Sequence, residues 1–332
     1  MNFKILNANT LIILGSLFFG ITSCKQIEKK EEIEILPNAP QYQTDSLFFD
    51  LSLAQWSLHT LIYNGELDPL DFAETASEMG FSGIEYVSGF YADSIKTSKD
   101  PQTKMQVILD TLKIRSDRYG VRNVLIMIDG EGDLAVNDSV ERNTSVNNHK
   151  KWVDAANYLG CHSIRVNLFG SNIPEEWTAN SIDALTKLSN YASEKNINVL
   201  VENHGYLSSN ADLLVEVIKK VNMENCGTLP DFGNFCLQRQ GGERWDTTCI
   251  EEYPRYEGVE KMMPYAKAVS AKSYSFNEEG REELIDYKKM LKIIKNEGYN
   301  GFIGVEFEGT NITAREGIMK TKELLIEAAR NL

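Results

Sequence analysis

The sequence predicts a closed (β/α)8 barrel, a single-domain α/β fold, and three observations carry that reading. Apolar strand-like runs alternate with helical stretches eight times through the globular part, and this order implies a parallel sheet with helical crossovers. After the first 45 residues, about 285 remain, the size of one such barrel. Polar residues gather at the C-terminal ends of the strands, whereas the N-terminal ends are mostly apolar or glycine. A rival open, doubly wound sheet would call for an early phosphate-binding glycine loop, and the chain has neither GxGxxG nor a Walker loop.

The elements follow in order. The first strand is 51–56, followed by a helix over 69–79 whose Phe72, Ala73, Ala76 and Met79 share a face before Gly80 ends it. Strand two is 83–87, and the helix over 104–119 again stops at a glycine, Gly120. Strand three, 123–128, runs into a polar loop, Asp129-Gly130-Glu131-Gly132-Asp133. A helix over 147–159 precedes strand four, 163–168, and a helix over 174–194 leads to strand five, Val199-Leu200-Val201-Glu202. A helix over 212–221 precedes strand six, which ends at Asp231. An excursion over 234–258, rich in Gly, Arg, Asp and Tyr, interrupts the alternation before a helix at 259–263. Strand seven (268–272), a helix (286–296), strand eight (302–306) and a last helix (313–329) complete the count, so the barrel domain is expected over 46–332.

The N-terminal segment belongs to another class. Lys4 precedes an apolar core from Leu11 to Ile21 that is too short to span a bilayer comfortably. It ends in Ile21-Thr22-Ser23-Cys24, which resembles a bacterial lipoprotein box, with residues 1–23 as signal peptide and Cys24 as the lipidated residue. An ordinary secretory signal with a chance cysteine is the competing reading. Residues 24–45, with the charge run Lys29-Lys30-Glu31-Glu32 and the stiff Pro37-Asn38-Ala39-Pro40, read as a flexible tether. The expected location is the cell envelope, on its periplasmic or outer face, with the membrane as a partner through lipid chains.

Composition narrows the partners. A net charge of −14 argues against nucleic acid or an anionic membrane face. Besides Cys24 the chain has Cys161, Cys226, Cys236 and Cys249 and no CxxC pair, against a zinc ribbon or a thioredoxin-type motif. Cys161 and Cys226 precede strands and read as buried apolar groups; whether Cys236 and Cys249 form a bridge, the sequence leaves open.

The strand ends supply His59, Glu85, Asp129, Asn167, Glu202 with His204, Asp231 with Asn234, Lys272, and Glu306 with Glu308. The period of two puts Glu202 with His204, Arg165 with Asn167, Ser270 with Lys272 and Glu306 with Glu308 on common faces. Each acid alone reads as a salt-bridge partner of Arg165 or Lys272. Three acids converging on one mouth call for a divalent cation, and oxygen donors suit Mg2+ or Mn2+. His59 and His204 at the same rim point to substrate contact, whereas His149 and His162 read as surface or packing residues. Trp56, Phe235 and Trp245 suit stacking on a sugar ring and suit plain packing equally.

From Leu51 onward the chain resembles the xylose isomerase-like TIM-barrel superfamily, the sugar phosphate isomerase/epimerase group. The stretches that carry this are Ser52-Leu53-Ala54-Gln55-Trp56-Ser57-Leu58-His59, Val201-Glu202-Asn203-His204-Gly205, Asp231-Phe232-Gly233-Asn234-Phe235, Val269-Ser270-Ala271-Lys272-Ser273 and Gly304-Val305-Glu306. The resemblance implies Glu202, Asp231 and Glu306 as ligands of Mn2+ or Mg2+, with Co2+ or Zn2+ as alternatives. It implies proton abstraction beside a carbonyl (enediol chemistry), with Glu202, Glu306, Lys272 and His204 in catalytic roles. His59, Glu85, Arg165, Asn167, Asn203 and Asn234 would bind a small carbohydrate. One departure stands out: the superfamily's strand-seven H-x-K-D is here Ser270-Ala271-Lys272-Ser273, without the histidine that completes the metal site. The implied activity is a sugar isomerase or epimerase. A lyase or hydratase acting on 3-keto-glycosides, which fits an exported protein, and a non-catalytic sugar-binding lipoprotein are the alternatives.

Overall fold

The computed structural model describes residues 47–245 and 247–332, so the segments expected to be a signal peptide and a tether, with Cys24, lie outside the described residues. Eight parallel strands form the sheet: β1 (Asp50–Ala54), β2 (Gly83–Val87), β3 (Arg122–Met127), β4 (Ser163–Val166), β5 (Asn198–Glu202), β6 (Cys226–Leu229), and, after an intervening hairpin of β7 (Cys236–Arg239) and β8 (Cys249–Glu252), β9 (Val269–Ser273) and β10 (Phe302–Phe307). The order β6-β5-β4-β3-β2-β1-β10-β9 curls the sheet round. Past the end of β6 the chain meets β9: Ser270 N donates to the Pro230 carbonyl at 2.9 Å and Phe232 N to the Ser270 carbonyl at 3.1 Å. These bonds close the barrel at Asp231 and Ser270.

Inward-facing residues of each strand follow the period of two. On β10 these are Phe302, Gly304 and Glu306; on β9 and the residue before it, Ala268, Ser270 and Lys272; on β5, Leu200 and Glu202. Leu125, Leu200, Leu229, Ala268 and Phe302 form a separate apolar cluster from the shell between sheet and helices, and the charged residues follow on the C-terminal side. Gly304 is needed in this stack, because a Cβ there would lie 2.4 Å from Glu85 Oε1.

The helices are α1 (His59–Tyr63), α2 (Phe72–Glu78), α3 (Gly89–Lys96), α4 (Pro101–Tyr119), α5 (Ser139–Leu159), α6 (Pro174–Ser193), α7 (Ala211–Val221), α8 (Arg255–Met262), α9 (Tyr287–Asn296) and α10 (Ala314–Arg330). Asp138 caps α5 by accepting from Val140 N and Glu141 N at 2.8 and 2.9 Å. That cap starts α5 two turns before the expected 147, through polar turns with little apolar periodicity. Gly120 and Gly160 end α4 and α5 in the left-handed region, at φ 64° and 79°. The excursion over 234–258 contains the antiparallel β7–β8 pair, joined by a Cys236–Cys249 disulfide, while Cys161 and Cys226 are buried and free.

Candidate active site

At the C-terminal mouth, Glu202, Asp231 and Glu306 each present a carboxylate oxygen within 4.8 Å of the others, and all three are buried. Two cations are built into the cluster. Lys272 Nζ lies 2.7 Å from Glu306 Oε1, 3.0 Å from Glu308 Oε1 and 3.9 Å from Asp231 Oδ2. Arg165 bridges Glu202 Oε2 at 2.8 Å and Asp129 Oδ1 at 2.9 Å. Burial lowers the proton affinity of Lys272, but Glu306, Glu308 and Asp231 outweigh it and hold the ammonium well above its ordinary range. Burial pushes Glu202 up to about 7 against the pull of Arg165, and Asp231 up to about 7 against that of Lys272. The cluster thus keeps unneutralised acid despite two cations.

The turn after β6 shapes the Asp231 carboxylate. Its Oδ1 accepts from Gly233 N and Asn234 N, both at 2.8 Å, whereas its Oδ2 finds no hydrogen-bond partner among the described residues. The Ser270 hydroxyl next to it donates instead to Glu306 Oε2 at 3.1 Å. A buried carboxylate oxygen with no hydrogen bond, met only by the Lys272 ammonium at 3.9 Å, is open to a further ligand, and three hard oxygens are the donors that Mg2+ and Mn2+ take. The residues present therefore fit a divalent cation held by Glu202, Asp231 and Glu306. Ser270, at the position of the missing histidine, contributes a bond to a ligand.

A second chain of bonds runs along the mouth. Asp129 Oδ1 accepts from Asn167 Nδ2 at 2.9 Å, and Asn167 Oδ1 lies 2.7 Å from His204 Nδ1. Burial raises Asp129, but Arg165, His204 and these hydrogen bonds outweigh it and hold the carboxyl below its ordinary value. Burial, with Arg165 and Lys272 nearby, pushes His204 down to about 4, so its ring is neutral at pH 7.

The other expected contacts divide. His59, Arg165, Asn167 and Asn234 line the cavity at the mouth with Glu306 and Glu308. Asn234 Nδ2 also donates to Glu202 Oε1 at 3.0 Å. Asn203 is fully buried and clamps the β6 turn: its Nδ2 donates to the Asp231 and Asn234 carbonyls, and its Oδ1 accepts from Asp231 N. It orients a ligand residue instead of facing the cavity. Glu85 also stays off the cavity wall, deep inside the barrel against Ser52 of β1 and Gly304 of β10, where Ser52 Oγ donates to it at 2.6 Å and burial raises it to about 8. His149, read as a surface or packing residue, reaches the cavity wall from α5.

The cavity measures about 1160 Å3. The β7–β8 hairpin forms part of its wall. Arg244 crosses to Asp133 on the loop after β3, with Nη2 to Oδ2 at 2.8 Å, and covers the Phe169 ring at 4.3 Å. Trp245 packs at 4.9 Å from the His204 ring and at 5.5 Å, edge to face, from Phe169. Trp56 and Trp245 thus face the cavity, whereas Phe235 is fully buried against Tyr253. Asp129 stood among the strand ends but not among the expected substrate contacts. Its role depends on Arg165 and Asn167 from β4 and the residue beyond it, a tertiary meeting that local sequence does not show.

A sequence comparison with curated proteins finds no match. Among solved structures, the fold is similar to L-ribulose 3-epimerase (14% identity, TM-score 0.63, covering 85% of this chain and 96% of that one). It is similar to D-psicose 3-epimerase with D-tagatose from Clostridium cellulolyticum H10 (14% identity, TM-score 0.60, 85% and 98%). It is also similar to the IOLI protein with a binding zinc atom (15% identity, TM-score 0.61, 85% and 99%). Residues 73–328 match the family model described as a xylose isomerase-like TIM barrel. With the closed barrel and this span matched, the chain belongs to the xylose isomerase-like TIM-barrel family.

Proposed function

We propose that this protein is a divalent-metal-dependent carbohydrate isomerase or epimerase that works by proton abstraction beside a carbonyl. The observation that carries the reading is the convergence of the buried Glu202, Asp231 and Glu306 within 4.8 Å, with Glu306 lining a polar and aromatic cavity. The sugar 3-epimerases among the structural neighbours and the zinc in the IOLI protein support it. Glu202, Asp231 and Glu306 would hold a divalent cation, which would supply polarisation of a carbonyl. The remaining work falls to the chain's own residues. Glu306 opens onto the cavity and is held by Lys272 at 2.7 Å, and it is the first member of the acid–base pair. Glu202, oriented by Arg165 at 2.8 Å and by Asn234 at 3.0 Å, is the second member of the acid–base pair. His204 accepts a substrate hydroxyl through its free nitrogen. Arg165 holds Glu202 and Asp129 in place, while His59 and Asn234 meet outlying hydroxyls.

The deciding experiment is metal content of the purified protein together with solvent-deuterium exchange into a panel of free sugars and 3-keto-sugars. The expected result is bound Mn2+, Mg2+, Co2+ or Zn2+, with exchange into a carbon beside a carbonyl. The Glu202→Gln and Glu306→Gln variants should each reduce exchange by about 100-fold or more. Absence of both metal and exchange would sink the reading.

The same proposal covers location. Residues 1–23 serve export and Cys24 carries the lipid; the Cys236–Cys249 disulfide supports an oxidising compartment. Metabolic labelling with a fatty-acid analogue should mark the protein and fail in Cys24→Ser.

A further inference from the structure

The donors around the three carboxylates are turned toward the protein's own acids. Lys272 meets Glu306 and Glu308, and Arg165 meets Glu202 and Asp129. Asn234 Nδ2 donates to Glu202 and the Ser270 hydroxyl to Glu306. Tyr274 is the exception. It follows the last residue of β9, and the period of two that turns Ser270 and Lys272 inward puts it on the same face. It lines the cavity with Glu306 and Glu308. Its main chain is fixed, since Tyr274 N donates to the buried Glu282 carboxylate at 3.2 Å. Its side chain reaches over the turn after β6. A Cβ on Gly233 would lie 2.5 Å from the Tyr274 hydroxyl and 2.8 Å from Lys272 Cγ, so glycine at 233 leaves the space that the hydroxyl occupies. Gly233 N itself donates to Asp231, which sets the hydroxyl beside the cluster. Among the described residues that hydroxyl makes no hydrogen bond. A phenol keeps its proton at pH 7, so it stands at the cavity as an unused donor.

Resting on the proton-transfer reading above, we propose that Tyr274 is a further catalytic residue, whose hydroxyl donates to the carbonyl oxygen of the bound sugar as that oxygen gains negative charge. In this step the C–H bond beside the carbonyl breaks, and its proton passes to a carboxylate of the acid–base pair. The bonding pair forms the carbon–carbon double bond of the enediolate, and the carbonyl π pair moves onto oxygen. Tyr274 keeps its proton and shares it with that oxygen, so nothing is oxidised or reduced. The reverse flow returns a proton to carbon. A hydrogen bond of this kind strengthens as the charge develops, so it acts on the rate more than on the affinity for substrate.

The test compares the intact Mn2+-loaded protein with its Tyr274→Phe variant, which removes a single oxygen and should keep the melting temperature and the bound metal of the parent. Solvent-deuterium exchange into the panel of free sugars and 3-keto-sugars should fall about 100-fold at saturating sugar. KM should stay within about threefold of the parent. Calorimetric titration with glycolohydroxamate, a planar mimic of an enediolate, gives a readout independent of turnover, and the variant should bind it about tenfold more weakly. Unchanged exchange, equal hydroxamate affinity, or a raised KM with the rate at saturation preserved would overturn the role of Tyr274 and leave the proton-transfer reading intact. Lost metal or a lowered melting temperature in the variant would make Tyr274 a structural support instead. A metal-loaded parent that exchanges no sugar removes both the proton-transfer reading and this role.

Discussion

His204 Nδ1 lies 2.7 Å from Asn167 Oδ1, and this bond decides which imidazole nitrogen of this cavity residue keeps its lone pair. Ionised Asp129 can only accept, so Asn167 must turn its amide nitrogen to it at 2.9 Å and its oxygen to His204. The histidine must then donate from Nδ1, which leaves Nε2 as a lone pair. With His204 pushed down to about 4, the ring stays neutral and the lone pair remains available at pH 7.

Asn167→Ala should therefore release the tautomer without removing the imidazole. Turnover should fall by about 10–100-fold, the range for partners that orient a functional histidine. Nitrogen-15 NMR should show one His204 tautomer in the parent and a mixture in the variant. A single unchanged tautomer would refute the relay.

Metal-free protein should lose stability as pH rises from about 6.5 to 8. Folded Glu85 titrates at about 8, and Glu202 and Asp231 at about 7, all above their ordinary values. The native state then holds more protons than the unfolded one, so stability is fully present below the unfolded values and is lost as pH rises through the folded ones. His204 and His149, both lowered, act oppositely but only below about 6.5. Denaturant titrations in a chelator at pH 6.5, 7.25 and 8 should show the decline, at most about 1.4 kcal/mol per pH unit for each group. Glu85→Gln should flatten it. Added Mn2+ should stabilise more at pH 8 than at 6.5, because the cation competes with protons for Glu202 and Asp231.

Lys272→Met should destabilise the fold by about 3–5 kcal/mol, the usual effect of removing one partner from a buried ion pair. It strands Glu306 and Glu308, which Lys272 now meets at 2.7 and 3.0 Å. Added Mn2+ should restore more stability to this variant than to the parent, since the cation then faces acids with no competing ammonium. Equal increments in both proteins would show that Lys272 and the cation do not share the cluster.

Much of this site can be read from strand ends. Val199-Leu200-Val201 is apolar because both faces of β5 are buried, and Glu202 marks the point where the strand reaches the mouth. The same logic exposes Asp231 and Glu306. It fails where side-chain depth matters. Glu85 counts among the strand-end acids beside Glu202, but it stands mid-strand with Tyr86 and Val87 still to follow, and Gly304 on β10 opens a space for it inside the barrel. Asn203 is indistinguishable in sequence from a substrate contact, because its role as a clamp depends on main-chain atoms 28 and 31 residues away. The β7–β8 hairpin is hidden for another reason: its strands are partly exposed and lack an alternating apolar pattern, so its register depends on the disulfide and the turn between.

The disulfide gives the last prediction. Cys236 and Cys249 are 13 residues apart, and Arg244 and Trp245 sit in the loop they close. A loop of that size is stabilised by about 3 kcal/mol through the entropy removed from its open state. Among the described residues, the hairpin's other polar ties to the rest of the chain include the Arg244–Asp133 pair and the bonds from Tyr206 OH to the Gly242 and Glu243 carbonyls, all at the surface. In the Cys236→Ser/Cys249→Ser protein the barrel should unfold nearly as before, since its closure runs through Pro230, Phe232 and Ser270. Hydrogen exchange should quicken selectively across β7 and β8. Trp245 should leave the His204 ring, which it now meets at 4.9 Å, and substrate KM should rise more than kcat falls. Uniformly faster exchange across β5, β6 and β9 would instead mean that the bridge supports the barrel itself.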